Sequence, residues 1–408
     1  MANSLINPTI IAKEALFQLE NNCILGSIVH RQYRNEFVKI GNSVTIRKPV
    51  KFIASDGATR VNQDVTELTT SIVINQRKHV SWKFSTQDLT LTVAEYSERY
   101  IKPAMIALAN KIDEVGCQTG AEGFFSTSGT PGTTPNAFSF LSGAAQKLDD
   151  NAVPDDGMRR IVFNPAARWA MANGMGGTGS GGVFNADIVH GMVRRGMLGQ
   201  IANFDIYGDQ NVYRFTAGTR GGAPLVNGVP ANNASSMAID GMTASVATWG
   251  KTGDVFTIAG VNAVNPISKQ DSGVLQQFVV TADFATNGSG QATVSFYPPL
   301  INNSGTNIGA AYQTVSALPA DNAALTFVGS AATAYPQNLA FHENALALVT
   351  VPLELPDSVG FKARADWRGY SIRVVKDYDI DADEEVIRLD ILFGWKAIYP
   401  ELGHRIWG

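Results

Sequence analysis

From Thr92 to about Gly116 the chain reads TVAEYSERYIKPAMIALANKIDEVG, the pattern of one long helix, and whatever else folds must accommodate it. Thr92 and Glu95 have capping-box spacing, which satisfies two of the N–H groups left open at a helix start. Tyr96, Tyr100, Ile101, Met105, Leu108, Ile112 and Val115 recur at intervals of three and four and share one stripe. Glu95, Glu98, Arg99, Lys102, Lys111 and Glu114 fall largely off it. Gly116 is the expected stop. At 1.5 Å per residue the helix would be roughly 35 Å long, more than a small domain needs. Pro103 inside it removes the bond to the Arg99 carbonyl and predicts a kink. Such a helix is either the core helix of an α/β protein or a spine from which separate lobes hang.

The flanks favour separate lobes. Asn7 and Pro8 suit a helix N-cap and first turn. Ile10, Ile11, Ala15, Leu16 and Leu19 then form an apolar stripe ending near Asn21 and Asn22. Between Asn42 and Phe84 the period becomes two: Val44, Ile46, Val50 and Phe52 on one arm, then Ile72, Ile74, Val80, Trp82 and Phe84. A polar turn around Asp56 and Gly57 separates the arms, so the stretch predicts a long β-hairpin. Its middle lacks an apolar face, and two strands alone are marginal in water. It packs on its own domain or lies across a neighbouring subunit.

Beyond the long helix, a short helix is expected near Leu141–Asp150, a buried strand at Ile161–Phe163 and a helix opened by Asn164 and Pro165. Another helix near Ala186–Arg195 and a strand at Phe204–Tyr207 follow. From Arg220 to Tyr335 charge nearly vanishes and β-rich runs recur at Val255–Ala259, Leu275–Thr281, Thr293–Tyr297 and Leu325–Val328. Turn residues bound each run, which predicts a small sandwich or barrel inserted into the first domain. NLAFHENALALVTVPLELP predicts a short helix and a strand stopped by Pro352 and Pro356. Tyr370–Val375 and Val386–Phe393 then pair across the acidic turn KDYDIDADEE.

Chemistry is sparsely advertised. The net charge of −4, without a basic run, does not announce sequence-independent nucleic-acid binding. The two cysteines, Cys23 and Cys117, have no metal-ligand neighbours and suit a reducing compartment. No apolar run approaches the ~18–20 residues that span a bilayer, and the N-terminus lacks the pattern of an export signal, so export is not expected. Gly174, Gly176 and Gly179 match G-x-G-x-x-G but follow a helix, whereas a dinucleotide site needs them between a strand and a helix. Asp377, Asp379, Asp381 and Asp383 alternate, yet Ala382 and Arg388 stand where a calcium loop needs Gly and Glu. No H-E-x-x-H or G-x-S-x-G spacing occurs. The expectation is no enzyme, no cofactor and no metal.

Four stretches resemble the major capsid proteins of tailed double-stranded-DNA phages with the Hong Kong 97-like fold, and more closely the P-22-like coat proteins with an inserted β-barrel. They are GDVFTIAGVNAVNP with LQQFVVTADF (253–266 and 275–284), NLAFHENALALVTVPLELP (338–356), YDIDADEEVIRLDILFGWKAIYPELGHRIWG (378–408) and the N-terminal ANSLINPTIIAKEALFQLENN. The resemblance implies an α+β fold: an N-arm (1–41), an extended β-hairpin loop (42–84), a peripheral domain with the spine helix (85–135), an axial domain (136–219), the inserted all-β barrel domain (220–335) and a return to the axial and peripheral domains (336–408).

By that resemblance the chain is a structural protein of the virion. It self-assembles as hexamers and pentamers into an icosahedral head shell around packaged DNA, which it meets only by non-specific proximity. Assembly would occur in the bacterial host cytoplasm with a separate scaffolding protein, a portal protein at one vertex, room for a decoration protein, and no membrane. The charged hairpin residues Lys48, Lys51, Asp56, Arg60, Asp64 and Glu67 are the candidate inter-subunit contacts, since rim ion pairs fix register more than affinity. The plainer reading is that they keep an exposed arm soluble. An encapsulin-type nanocompartment shell shares the fold and differs in cargo. A surface binding protein using the β-rich insertion would call for a secretion signal.

Overall fold

The computed structural model describes residues 8–31, 43–54, 57–60, 62–63, 65, 67–85, 100–176, 198–303 and 310–408. These divide into two compact units: residues 1–46, 70–117 and 346–398, and residues 47–69, 118–345 and 399–408.

The first unit is built on an antiparallel sheet. Strand Phe361–Trp367 pairs with Tyr370–Asp379, which pairs with the long strand Glu384–Ala397. The long strand also pairs with Gln76–Ser85, along Glu384 to Phe393, and with Leu346–Thr350, along Phe393 to Ala397. Arg368 and Gly369 join the first two strands with positive φ (45° and 86°), the tight turn that matches strand twist. Helix α1 (Pro8–Asn22) starts at the expected proline and lies on the strands Phe361–Trp367 and Tyr370–Asp379. It buries Ile11, Ala12, Ala15, Leu16 and Leu19, so its apolar stripe is covered by this chain. Five apolar side chains taken from water are worth about 1.5–3 kcal/mol each for the larger ones.

Helix α2 (Lys102–Gly123) carries the long apolar stripe, with Met105, Leu108, Ala109 and Ile112 buried. Three details differ from the sequence expectation. The helix passes Gly116 and ends at Gly123, because Gly116 is a packing residue: a Cβ there would lie 2.6 Å from Trp395 Cζ2. Pro103 is only the second residue of α2, preceded by a π-helical turn at Tyr100 and Ile101. Tyr100 is exposed rather than on the buried stripe. The proposed cap at Thr92 and Glu95, and Tyr96, lie outside the described residues.

The predicted hairpin is shorter than its alternation suggested. Ser43–Arg47 and Thr69–Val73 form a two-stranded sheet, and no strand occurs among the described residues between them. Val80 and Trp82 belong to Gln76–Ser85, which is recruited by the long strand instead. A period of two marks a strand but not its partner.

In the second unit a mixed sheet runs in the order Ser126–Ser128, Gly403–Trp407, Ala334–His342, Arg159–Phe163, Phe204–Gly208, Gln200–Ile201, and Arg214–Thr216 also pairs with Ala334–His342. Helices α3 (Phe138–Asp150) and α4 (Pro165–Gly176) complete a core of Leu141, Leu148, Ile161, Phe163, Met171, Phe204 and Ile406. The expected N-cap of α4 is present: Asn164 Oδ1 accepts the Ala167 N–H at 2.8 Å. Gly174 and Gly176 lie within α4, and a Cβ on Gly174 would meet the Asn136 carbonyl oxygen at 1.7 Å. That glycine serves close packing. Gly179 and the expected helix near Ala186–Arg195 are outside the described residues.

Asn338–His342, the start of the stretch read as a short helix and a strand, is the buried C-terminal part of strand Ala334–His342; only Glu343–Ala345 makes a helical turn. A central strand buried on both faces is a continuous apolar run, which periodicity cannot separate from a buried helix.

The four β-rich runs are all strands of a six-stranded sheet ordered Leu325–Phe327, Val255–Val264, Asp271–Val280, Ala292–Leu300, Ala234–Met242, Gly222–Val226. Its two ends meet where Leu225 bridges Ala324, and Val226 N–H donates to Ala323 O at 3.0 Å. The sheet thus closes on itself and leaves no free edge there. Phe256, Phe278 and Phe296 fill the interior with ring centroids 5.4–6.0 Å apart.

A candidate intersubunit surface

The segment from Arg47 to Thr69 presents the candidate contact residues. It is anchored rather than free. Lys48 N–H donates to Leu68 O at 2.7 Å, and Lys51 N–H to the Tyr312 hydroxyl at 3.2 Å. Ile53 and Leu68 pack on a cluster of Ile301, Ala311 and Tyr312. Gln63 closes the segment by taking the Ile53 N–H (3.0 Å) and donating back to the Ile53 carbonyl.

On that frame the predicted residues separate. Lys48 turns inward: its Nζ lies 4.0 Å from Glu401 Oε1 and 5.2 Å from the Tyr399 ring centroid. Glu67 pairs with Arg47 at 3.1 Å in an exposed setting. Lys51 and Arg60 face solvent, and neither makes an ion pair among the described residues. Asp56 and Asp64 lie outside the described residues. Two apolar side chains were not singled out by charge reasoning: Phe52 and Val65, 63% and 64% exposed. Phe52 had been placed on the alternating face, and its exposure is the signal that the face has no cover here.

The alternating aspartates form a solvated turn. Asp381 N–H donates to Asp379 Oδ1 (3.0 Å) and the Tyr378 hydroxyl to Asp383 Oδ1 (2.7 Å). Ile380 at its tip is 81% exposed. Among the described residues no group of three or more His, Cys, Asp or Glu side chains could hold a metal ion.

Buried ionisable groups instead tie elements together. In the first unit the Asp113 carboxylate of α2 accepts from Ile24 N–H (2.7 Å), Gly26 N–H (3.1 Å) and Cys23 Sγ (3.0 Å). Burial, together with the Asp113 charge, pushes the Cys23 thiol well above its usual range. Asp390 is gripped by Arg373 (2.6 Å) and Arg388 (2.7 Å). In the second unit His404 sits between Ser126 Oγ (2.8 Å) and Ser128 Oγ (2.7 Å), and burial lowers its pKa to about 3, so it is neutral. Arg405, fully buried, donates to the Gly253 carbonyl at 2.9 Å. These groups pack and orient the elements that carry them.

The architecture is the α+β Hong Kong 97-like fold of phage capsid proteins. A solved chain of Mycobacterium phage Che8 is similar to it with a TM-score of 0.50 and 14% identity, over 94% of this chain and 90% of that one, which speaks to the fold alone. The chain belongs to the P22 coat protein family (gene protein 5), whose match runs over residues 1–408. A major capsid protein of Acyrthosiphon pisum secondary endosymbiont phage 1 is 28% identical over 179 residues; the match spans 42% of this chain and 41% of that relative. The CUS-3 coat protein I-domain is similar over 28% of this chain and 100% of its own length, at 26% identity and a TM-score of 0.21. Family membership makes this a phage coat protein.

Proposed function

We propose that the chain forms hexamers and pentamers of an icosahedral head shell around packaged double-stranded DNA, with segment 47–69 as an arm that docks on a neighbouring copy. What carries this is the arm's surface: Phe52, Val65, Lys51 and Arg60 are exposed on a segment that is pinned at Tyr312 and packs on Ile301 and Ala311. Exposed apolar side chains on the same segment as exposed charges suit a contact that is weak alone and stable in number. Asp56 and Asp64 join Lys51, Arg60 and Glu67 at this contact, while Lys48 supports it from within. The division follows: N-arm 1–41, extended loop 42–84, peripheral domain 85–135, axial domain 136–219, inserted β-barrel 220–335, return 336–408. The barrel adds a mostly uncharged face. A scaffolding protein guides growth in the host cytoplasm, a portal occupies one vertex, and a decoration protein can bind the finished shell.

Negative-stain microscopy of the chain expressed alone, with light scattering of the same sample, tests this. Closed shells, sheets or spirals of capsomers are expected, with regular shells once scaffold is added. A chain that stays monomeric on concentration, with and without scaffold, would overturn it.

A further inference from the structure

Segment 47–69 belongs to the second unit, although residues 43–46 and 70–73 of its flanking strands belong to the first. Among the described residues 48–68 contains no strand, so no ladder gives the segment its shape. The six-stranded barrel supplies the support instead. Tyr312 lies on a turn, Ala310–Tyr312, whose continuation is built into the barrel. Thr314 N–H donates to Ile301 O at 2.9 Å, Val315 bridges Ala263 and sits in the barrel core, and Ser316 N–H donates to Asn262 O at 3.0 Å. Ile301 directly follows the barrel strand Ala292–Leu300. On this fixed shelf rest Ile53 and Leu68, packed on Ile301, Ala311 and Tyr312, and the Lys51 N–H, bonded to the Tyr312 hydroxyl at 3.2 Å. A second tie runs through Glu401. Its Oε2 accepts the hydroxyl of Tyr297, on the same barrel strand, at 3.1 Å, and its Oε1 lies 4.0 Å from Lys48 Nζ.

We propose that the barrel is the arm's cradle: Tyr312 and Glu401 are positioning residues that hold segment 47–69, before any copy is met, in the shape it presents to a neighbour. An arm without this support would be ordered only as it docks, and the lost conformational freedom would weaken a contact that is already weak alone. The barrel thus promotes assembly through its own chain's arm, at residues that need not touch the neighbour. The hold on the arm exists in the soluble chain; its effect on assembly rests on the docking role proposed above.

The experiment uses the full soluble chain and two readouts of the arm: trypsin cleavage after Lys51 and Arg60, both exposed, and hydrogen exchange of the peptide 48–54. Tyr312→Phe keeps the ring under Ile53 and Leu68 but removes the acceptor of the Lys51 N–H. Glu401→Gln keeps an acceptor for Tyr297 but removes the charge facing Lys48. The double variant should speed cleavage after Lys51 and exchange in 48–54 several-fold, leave the thermal midpoint and exchange of the barrel strands as in the parent, and raise the chain concentration at which assembly begins. Tyr312→Ala, which also removes the shelf, should loosen the arm further. Unchanged cleavage and exchange in both the double variant and Tyr312→Ala would overturn the cradle, and so would loosening of the barrel strands in step with the arm, which marks a merely structural role. Phe52→Ala with Val65→Ala, assembled in parallel, separates the two readings. If that pair impairs assembly while the loosened arm of the double variant does not, the cradle is overturned and docking stands. If neither alters assembly, docking of the arm is what fails.

Discussion

Gly116 lies flat against Trp395. A Cβ on Gly116 would fall 2.6 Å from Cζ2 and 2.8 Å from Cε2 of that indole, and 2.7 Å from Leu25 Cδ2. At Gly116, α2 packs against Trp395 of the long strand and Leu25 of the turn after α1. Gly116→Ala should therefore destabilise the chain by about 1–3 kcal/mol, the usual cost of overpacking, despite alanine's better helix propensity. Gly143→Ala in α3 is the control, because nothing lies within 4 Å of its Cβ position. It should stabilise by up to ~1 kcal/mol. Urea midpoints of the soluble variants separate the two, and a neutral Gly116→Ala would refute the packing role.

The same glycine shows what could be read from the sequence. Spacing of Met105, Leu108 and Ile112 disclosed the helix, but a glycine that ends a helix and one that admits an indole look alike until Trp395 is in place. Asn164 with Pro165, and the β-rich run Val255–Ala259 bounded by turn residues, were legible because caps, turns and strand propensity are local. Asn338–His342 was misread because strand identity there is set by two distant partners, Gly403–Trp407 and Arg159–Phe163. Charge flagged Lys51 and Arg60, while the exposure of Phe52 and Val65 depended on what the fold leaves uncovered.

Asp113→Ala tests the clamp between α2 and the turn after α1. The change strands two backbone donors, Ile24 N–H and Gly26 N–H, in a site where Asp113 is 1% exposed. A loss of about 3 kcal/mol is expected, from unsatisfied donors that each cost about 1–3 kcal/mol. Asp113→Asn keeps one acceptor and should lose less. A unit that unfolds at the same urea concentration in both variants would show that water replaces the carboxylate.

His404 gives the second unit an acid-sensitive point. Its folded pKa is held near 3, first by burial and then by the Lys147 and Arg405 charges, against about 6.5 in the unfolded chain. The unfolded state binds the extra proton between these values, so stability is full above about pH 6.5 and falls as pH drops toward 3. The slope is about 1.4 kcal/mol per pH unit, or about 2 kcal/mol lost by pH 5. His404→Gln should flatten that slope while lowering stability at pH 7, since it disturbs the bonds to Ser126 and Ser128. Thermal unfolding from pH 7.5 to pH 5 checks it, and an unchanged slope in the variant would assign the acid sensitivity elsewhere.

Asp390 works at lower pH. Burial alone would raise its pKa, but the bonds to Arg373 and Arg388, and their charges, outweigh it and hold the carboxyl below the usual value. Its contribution is complete above the unfolded value, about 3.9, and is lost as pH falls through the folded one. Asp390→Asn should remove that low-pH dependence and cost about 3–5 kcal/mol at pH 7, because it leaves Arg373, Arg388 and Arg77 against a neutral group in the sheet. A smaller loss would mean that the arginines find water.

By the docking role proposed for segment 47–69, substitutions on it should separate folding from assembly. Arg60→Ala with Glu67→Ala removes one solvent-facing charge and the Glu67 partner of Arg47, an exposed pair worth under about 1 kcal/mol. The soluble chain should fold as before, while assembly yield and its salt dependence shift. Phe52→Ala with Val65→Ala should act more strongly, since apolar contacts carry affinity where rim charges carry register. Each side chain buried against a neighbour is worth about 1.5–3 kcal/mol, and that loss recurs at every arm in the shell. Circular dichroism and urea midpoints report the fold, and sedimentation reports assembly. Unfolded or insoluble variants would refute this division of roles, and so would shells that form with unchanged yield once Phe52 and Val65 are gone.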